Sequence, residues 1–374
     1  MNFTKIITIV LIIFVVVLIA TSYLSFNKSD IKEETSDKID STFENIKDNN
    51  LINIPKTSFE NIKSRIAFGS INREIPSEVY FCPEDNCLTE LLKLIESSKK
   101  TIDCAVYDIS LETITEKLIE KSNKEVNIRI VSDYERSKSK NSSIGVLKES
   151  NVSIITNPSD SSYMHNKFCV FDEKIVWIGS MNFTLNGNYT NNNNVLVIED
   201  KELAKEYTKK VDSFFKGEFS PKINEEVVLK QYGNIENYFC PEDNCEYHLL
   251  KYLENSTSSL DCMFFSFTLN SVFDVIKDKP IDQRYILEKR NIDSYSQYNN
   301  LKNNSIPVIL DENPNSMHNK FCIIDDYIVM TGSMNISNNG TKNNDEILIF
   351  VYDQEVANKY KNYFEKYWDL WSAN

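Results

Sequence analysis

A nineteen-residue pattern that occurs twice, at an offset of 153, limits this chain to a duplicated architecture. The first copy, Met164-His-Asn-Lys-Phe-Cys-Val-Phe-Asp172, runs on to Gly179-Ser180-Met181-Asn182. The second, Met317-His-Asn-Lys-Phe-Cys-Ile-Ile-Asp325, runs on to Gly332-Ser333-Met334-Asn335. The chain has three histidines, and two of them hold the same place in these copies. The repeat is therefore chemical as well as structural.

The duplication extends upstream. Tyr80-Phe-Cys-Pro-Glu-Asp-Asn-Cys87 returns as Tyr238-Phe-Cys-Pro-Glu-Asp-Asn-Cys245, at an offset of 158, so the second half is shorter by five residues between the two motifs. A helical stretch follows each Cys-Pro motif, with Leu88, Leu91, Leu92, Leu94 and Ile95 on its apolar face. Strand-like runs come next, at 101–107 and 259–265, at 126–131 and 284–287, and at 152–155 and 306–310. Helices at 202–215 and 355–371 close the halves. Alternating strands and helices indicate an α/β fold. The divisions drawn are an apolar segment (1–26), a polar stalk (27–77), a first half (78–237) and a second half (238–374).

The eight cysteines follow the same symmetry, 82/240, 87/245, 104/262 and 169/322. Cys104, Cys169, Cys262 and Cys322 lie in apolar runs and are read as small core residues. Cys82 and Cys87, like Cys240 and Cys245, flank a Pro-Glu-Asp-Asn turn, where each pair could close a local disulfide in an oxidising compartment. A four-thiolate zinc site is the weaker reading of these pairs. His248 faces Glu90 in the other half, and is expected on a helix surface.

The net charge of −14 argues against a broad electrostatic grip on DNA or an anionic membrane, which need a positive face. It leaves room for a small basic site. Residues Ile6 to Leu24 are almost purely apolar. As a helix they would span roughly 28 Å, about one hydrocarbon thickness, so a single-pass N-terminal anchor is expected rather than a cleaved signal peptide. Lysines flanking the run weakly favour a cytoplasmic body, whereas first segments behind so short an N-terminus tend to export the chain beyond them; an extracytoplasmic body is expected.

His165 and Lys167 are two apart on a strand, as are His318 and Lys320, so each pair shares one face. Phe168, Val170, Phe321 and Ile323 take the opposite face into a core. A lysine supplies a point charge for a phosphate, and an imidazole can attack phosphorus or move a proton. After each aspartate the chain turns into a second apolar strand that ends at Gly-Ser-Met-Asn. There glycine permits a tight bend, and Ser180, Asn182, Ser333 and Asn335 offer neutral donors to phosphoryl oxygens.

Two copies of His-x-Lys-x4-Asp-x6-Gly-Ser-x-Asn resemble the signature of the phospholipase D superfamily. The resemblance runs from about Val79 to Trp371. It implies two pseudo-twofold-related halves, each a β-sheet flanked by helices, with both His–Lys pairs in one interfacial cleft. It also implies a reaction that needs no metal or other cofactor. One histidine attacks a phosphodiester to give a phosphohistidine, and the other protonates the leaving alcohol and then activates water or an acceptor alcohol. Lys167, Lys320, Asn182 and Asn335 would hold the phosphoryl oxygens. Asp172 and Asp325 are expected as structural ion-pair partners.

One departure from that family's pattern matters. A carboxylate usually stands eleven residues after the last asparagine, bonded to the catalytic histidine. Glu346 fills the place in the second half, and Asn193 in the first. The expectation is that Glu346 backs His318 and makes it the more basic, with His165 titrating lower. Which histidine is the nucleophile stays open. The favoured reading is a phosphodiesterase acting on membrane phospholipids, with no oligomer required. A nuclease of the same superfamily and a cardiolipin synthase-like transferase are the alternatives. The poorly matched segments 133–151 and 289–304 are expected to shape the cleft mouth.

Overall fold

The computed structural model describes residues 73–158 and 162–373. The first half contributes β1 (Ser77–Cys82), β2 (Thr101–Val106), β3 (Asn127–Ser132), β4 (Ser153–Thr156), β5 (Lys167–Phe171), β6 (Ile175–Gly179) and β7 (Asn191–Glu199). The second contributes β8 (Gln231–Tyr232), β9 (Ile235–Cys240), β10 (Ser259–Phe264), β11 (Asp282–Leu287), β12 (Val308–Leu310), β13 (Ser316–Met317), β14 (Lys320–Ile324), β15 (Ile328–Gly332) and β16 (Glu346–Tyr352). The sheets run β1-β7-β6-β5-β2-β3-β4 and β12-β11-β10-β14-β15-β16-β9-β8. Strand for strand, the second order repeats the first. β8 begins the second half at Gln231, ahead of the boundary drawn at 238.

Each sheet is covered on both faces, which explains why β5 and β14 are buried at every position. In the first half, Ile102, Cys104, Ile128, Ile130, Cys169 and Trp177 pack outward with helices Cys87–Ser97 and Glu112–Ser122. The opposite face joins a core common to both halves, where Phe81, Phe168, Tyr207, Phe239, Phe321 and Tyr360 meet. Phe81 stacks on Tyr363 of the closing helix at 3.9 Å, and Phe239 meets Tyr207 edge-on at 5.1 Å. The two sheet-covering helices start in equivalent ways. The Asp200 carboxylate accepts the Leu203 N–H, and that of Asp353 accepts Glu355 and Val356 N–H.

The strands also cross between halves. β13 of the second half pairs with β7 of the first, Met317 opposite Asn192. Reciprocally, Met164 bridges to Asp345 at the start of β16. The residues before each histidine are thus threaded onto the other half's sheet.

Three expectations are corrected. Cys104 and Cys169 face each other across β2 and β5, with Cα atoms 4.1 Å apart, and are joined as a disulfide; Cys262 and Cys322 repeat this at 4.0 Å. Cys82–Cys87 and Cys240–Cys245 close the two turns. No cysteine is free, which also removes the thiolates a zinc site would need. His248 is not on a surface: it is buried, stacks on Tyr238 at 3.6 Å, and neither ring nitrogen has a hydrogen-bond partner. The single-pass membrane localisation finds no support. No helix among the described residues is long and apolar enough to cross a membrane; the longest, Gln354–Ser372, carries lysines and acids between its apolar positions. The run from Ile6 to Leu24 lies outside the described residues, as does the stalk as far as residue 72.

Two measurements test these corrections. Iodoacetamide labels no cysteine of the denatured, unreduced protein and all eight after reduction. Burial, with the Lys251 and Lys230 charges, pushes His248 down from 6.5 to about 4. Between those values the unfolded chain binds the extra proton, so stability falls as pH drops from about 6.5 toward about 4. His248→Phe flattens this part of the Tm–pH curve, and an unchanged slope would rule the histidine out as its source.

Candidate active site

Each catalytic segment is clamped at its main chain before its side chains are placed. His165 N–H donates to the Asp345 carbonyl at 2.9 Å, and Asp345 N–H to the Tyr163 carbonyl at 2.9 Å. His318 N–H donates to the Asn192 carbonyl at 2.9 Å. Met164, Asn166, Met317 and Asn319 are fully buried, so His165, Lys167, His318 and Lys320 take the alternate positions. Tyr107 lies edge-on to His165 at 4.8 Å, and Phe265 takes the same place against His318 at 4.7 Å.

This threading decides which residue backs which histidine. His165 Nδ1 lies 2.7 Å from Glu346 Oε1, across the two halves. His318 Nδ1 lies 2.9 Å from Asn193 Oδ1 and 3.1 Å from the Ser180 carbonyl, again across the halves. The expected pairing of Glu346 with His318 is therefore reversed. Glu346 and Asn193 lie at the starts of β16 and β7, which receive the opposite half's histidine segment.

Ser180 and Ser333 are also reassigned. They were expected to bind phosphate, but Ser333 Oγ donates to Glu346 Oε2 at 2.6 Å and Ser180 Oγ to Asn193 Oδ1 at 2.9 Å. Each serine then accepts a backbone N–H, from Ile347 at 3.0 Å and from Asn194 at 3.1 Å. They orient the groups behind the imidazoles. The preceding glycines make room for this, since a Cβ on Gly179 would lie 2.1 Å from the Asn194 carbonyl oxygen and one on Gly332 2.2 Å from that of Ile347.

Asp172 and Asp325 sit at positive φ in the tight turns after β5 and β14. They are not ion-pair partners. Asp172 accepts backbone N–H from Lys99, Lys100 and Thr101, and Asp325 from Thr257, Ser258 and Ser259. Burial pushes both carboxyls up, and these donors outweigh it and hold them below the usual carboxylate range. The true ion pairs are built by arginine. Arg129 binds Asp103 and Asp212, and Arg284 binds Asp261 and Glu365.

Lys167 Nζ donates to the His165 carbonyl at 2.6 Å, and Lys320 Nζ to that of His318 at 2.8 Å. Burial pushes Lys167 down to about 7, opposed by Glu346, Asp108 and Asp133. Burial and then the Lys167 charge lower Lys320 well below its ordinary value. Burial, then the lysine charges, also lower both histidines. Burial pushes Glu346 up to about 8 against the pull of Lys167, Ser333 and Lys320. His165 and Glu346 therefore share one proton along the Nδ1–Oε1 line near neutral pH, and Nε2 of His165 is left as an acceptor. Asn182 and Asn335 each bury an amide oxygen that has no partner. This crowd of underprotonated cations is arranged for an anion, which would return the lysines to their charged form.

Such a cleft, duplicated and completed across two halves, is a phosphoryl-transfer site. The family described as cardiolipin synthase, PLD-like domain, matches residues 91–215 and again 249–368, well over half of the chain, and the chain belongs to it, within the phospholipase D superfamily. It is 33% identical over 162 residues to phospholipase D of Rickettsia prowazekii (strain Madrid E), spanning 42% of this chain and 77% of that protein. It is 27% identical over 149 residues to mitochondrial cardiolipin hydrolase of Xenopus tropicalis, spanning 39% and 70%. Its fold is similar to that of phosphatidylserine synthase from Haemophilus influenzae Rd KW20, with a TM-score of 0.61 at 11% identity over 82% of this chain and 90% of that one.

Histidine NMR reads the crossed pairing directly. Glu346→Gln removes the carboxylate beside His165, so the His165 titration moves to lower pH and that of His318 stays. Asn193→Asp moves His318 to higher pH. A Glu346→Gln effect confined to His318 would restore the uncrossed pairing.

Proposed function

We propose that this protein is a phosphodiesterase that cleaves phospholipids by two displacements at phosphorus, with His165 as nucleophile and His318 as acid and base. The observation that carries the roles is the asymmetry behind the rings: a carboxylate 2.7 Å from His165 and an amide 2.9 Å from His318. Attack by His165 Nε2 leaves positive charge on that ring, where Glu346 stabilises it. His318 loses charge when it protonates the leaving oxygen, so a neutral partner is no handicap there.

The steps balance. His165 Nε2 bonds to phosphorus as the P–O bond to the leaving alcohol breaks, and the alkoxide takes the His318 proton. Water then gives a proton to His318 and attacks phosphorus, the P–N bond breaks, and His165 is restored. Lys167 and Lys320 neutralise the phosphoryl oxygens, and Asn182 and Asn335 turn their amide nitrogens toward them. A lipid substrate is supported by the names of the similar proteins, phospholipase D and cardiolipin hydrolase, and by the net charge of −14, which suits a strand of nucleic acid poorly. The family description names a synthase, in which an acceptor alcohol replaces water.

His318→Ala, offered a diester with a p-nitrophenolate leaving group, needs no acid for the first step but lacks the base for the second. It accumulates phosphohistidine on His165, mapped by mass spectrometry. Modification on another histidine would overturn the assignment. Glu346→Gln lowers kcat by about 10²- to 10⁴-fold. The full chain releases headgroup from phosphatidylglycerol or cardiolipin, with glycerol added to reveal transfer. Cleavage of single-stranded DNA with no lipid turnover would reverse the substrate reading.

A further inference from the structure

The cleft walls differ as much as the groups behind the histidines. Tyr163, His165 and Lys167 alternate with the fully buried Met164 and Asn166, so the three share one side of an extended segment. The Tyr163 ring lies 5.8 Å from that of Tyr107, which in turn lies 4.8 Å from the His165 imidazole. Three rings therefore run in a row from the reacting nitrogen outward. Tyr163 is 49% exposed, yet its main chain is fixed at both ends: its N–H donates to Asn344 Oδ1 at 3.2 Å and its carbonyl accepts from Asp345 at 2.9 Å. A large exposed ring on a clamped backbone loses little entropy when it takes a ligand.

The other wall ends differently. Phe265 replaces Tyr107, and Ser316 replaces Tyr163. The Ser316 hydroxyl donates to Glu288 Oε2 at 3.0 Å. Beyond Phe265 the His318 side is small and polar.

We infer that Tyr163, with Tyr107, forms a subsite for the apolar acylglycerol portion of the substrate, the part that stays on phosphorus. The inference rests on the lipid reading and on His165 as nucleophile. The covalent intermediate ties the retained substituent to His165, so side chains beside His165 touch it through both displacements. Side chains beside His318 meet only the departing alcohol and the incoming water. An aromatic wall next to the nucleophile and a hydroxyl-lined wall next to the acid suit a substrate with an apolar retained group and a polar leaving group.

The test uses the full-length protein and two substrates with one leaving group, dioleoylphosphatidylglycerol in detergent micelles and its deacylated form, glycerophosphoglycerol. Tyr163→Ala raises KM for the lipid about tenfold, the scale of one aromatic contact, and changes kcat little. Turnover of the deacylated diester stays within about twofold, and Tyr163→Phe restores the lipid KM. Equal losses on both substrates, or an unchanged lipid KM, would overturn the subsite. A loss seen only with single-stranded DNA would replace acyl chains by bases as what the rings hold. If the wild-type chain turns over neither lipid nor deacylated diester, the lipid reading itself fails, whatever the variants do.

Discussion

Each catalytic histidine is held by a strand of the half to which it does not belong. The main-chain bonds from His165 to Asp345 and from His318 to Asn192 carry this exchange, and the rest of the site depends on it. They bring Glu346 behind His165 and Asn193 behind His318. They also require both halves to be folded before either imidazole is oriented, so neither half makes a complete site alone. The aromatic core beneath, where Phe168 and Phe321 meet helices of both halves, holds the exchanged strands in register.

The cleft gathers two lysines, two histidines and one carboxylate away from water. Burying charge without a partner is costly, and the site answers by lowering its cations and raising Glu346. An entering phosphodiester supplies the missing negative charge. The energetic strain of the empty site thus becomes selectivity for an anion, without the broad positive surface that the acidic composition denies.

Duplication set the frame, and divergence gave it direction. Behind His165, Asp345 lies 3.7 Å from the buried Lys210, which also binds Glu242. At the matching places in the other half, Asn192 donates to the Tyr363 and Tyr367 hydroxyls at 3.1 and 3.0 Å, and Tyr367 donates to Glu84. A charged cluster on one side answers a network of tyrosine and amide on the other. Together with Glu346 against Asn193 and Tyr163 against Ser316, this makes the two sides chemically distinct within a nearly symmetric scaffold.

Much of this was legible in the order of residues. Period-two alternation around His165 and His318, the doubled motifs and the family signature lead to paired α/β halves with two His–Lys pairs, because such patterns are local. The same local view failed where partners are distant. Cys104 and Cys169 read as core residues because the antiparallel pairing of β2 with β5 joins them across a sequence separation of 65. His248 read as a surface residue because nothing nearby announces the Tyr238 ring stacked on it. Ser180 and Ser333 read as phosphate ligands because the motif shows their chemistry and not their direction. The doubled motif was enough to specify the reacting groups and the bond they attack. Which carboxylate serves which imidazole was settled only by folding, since Glu346 and His165 stand 181 residues apart and meet through strands exchanged between halves.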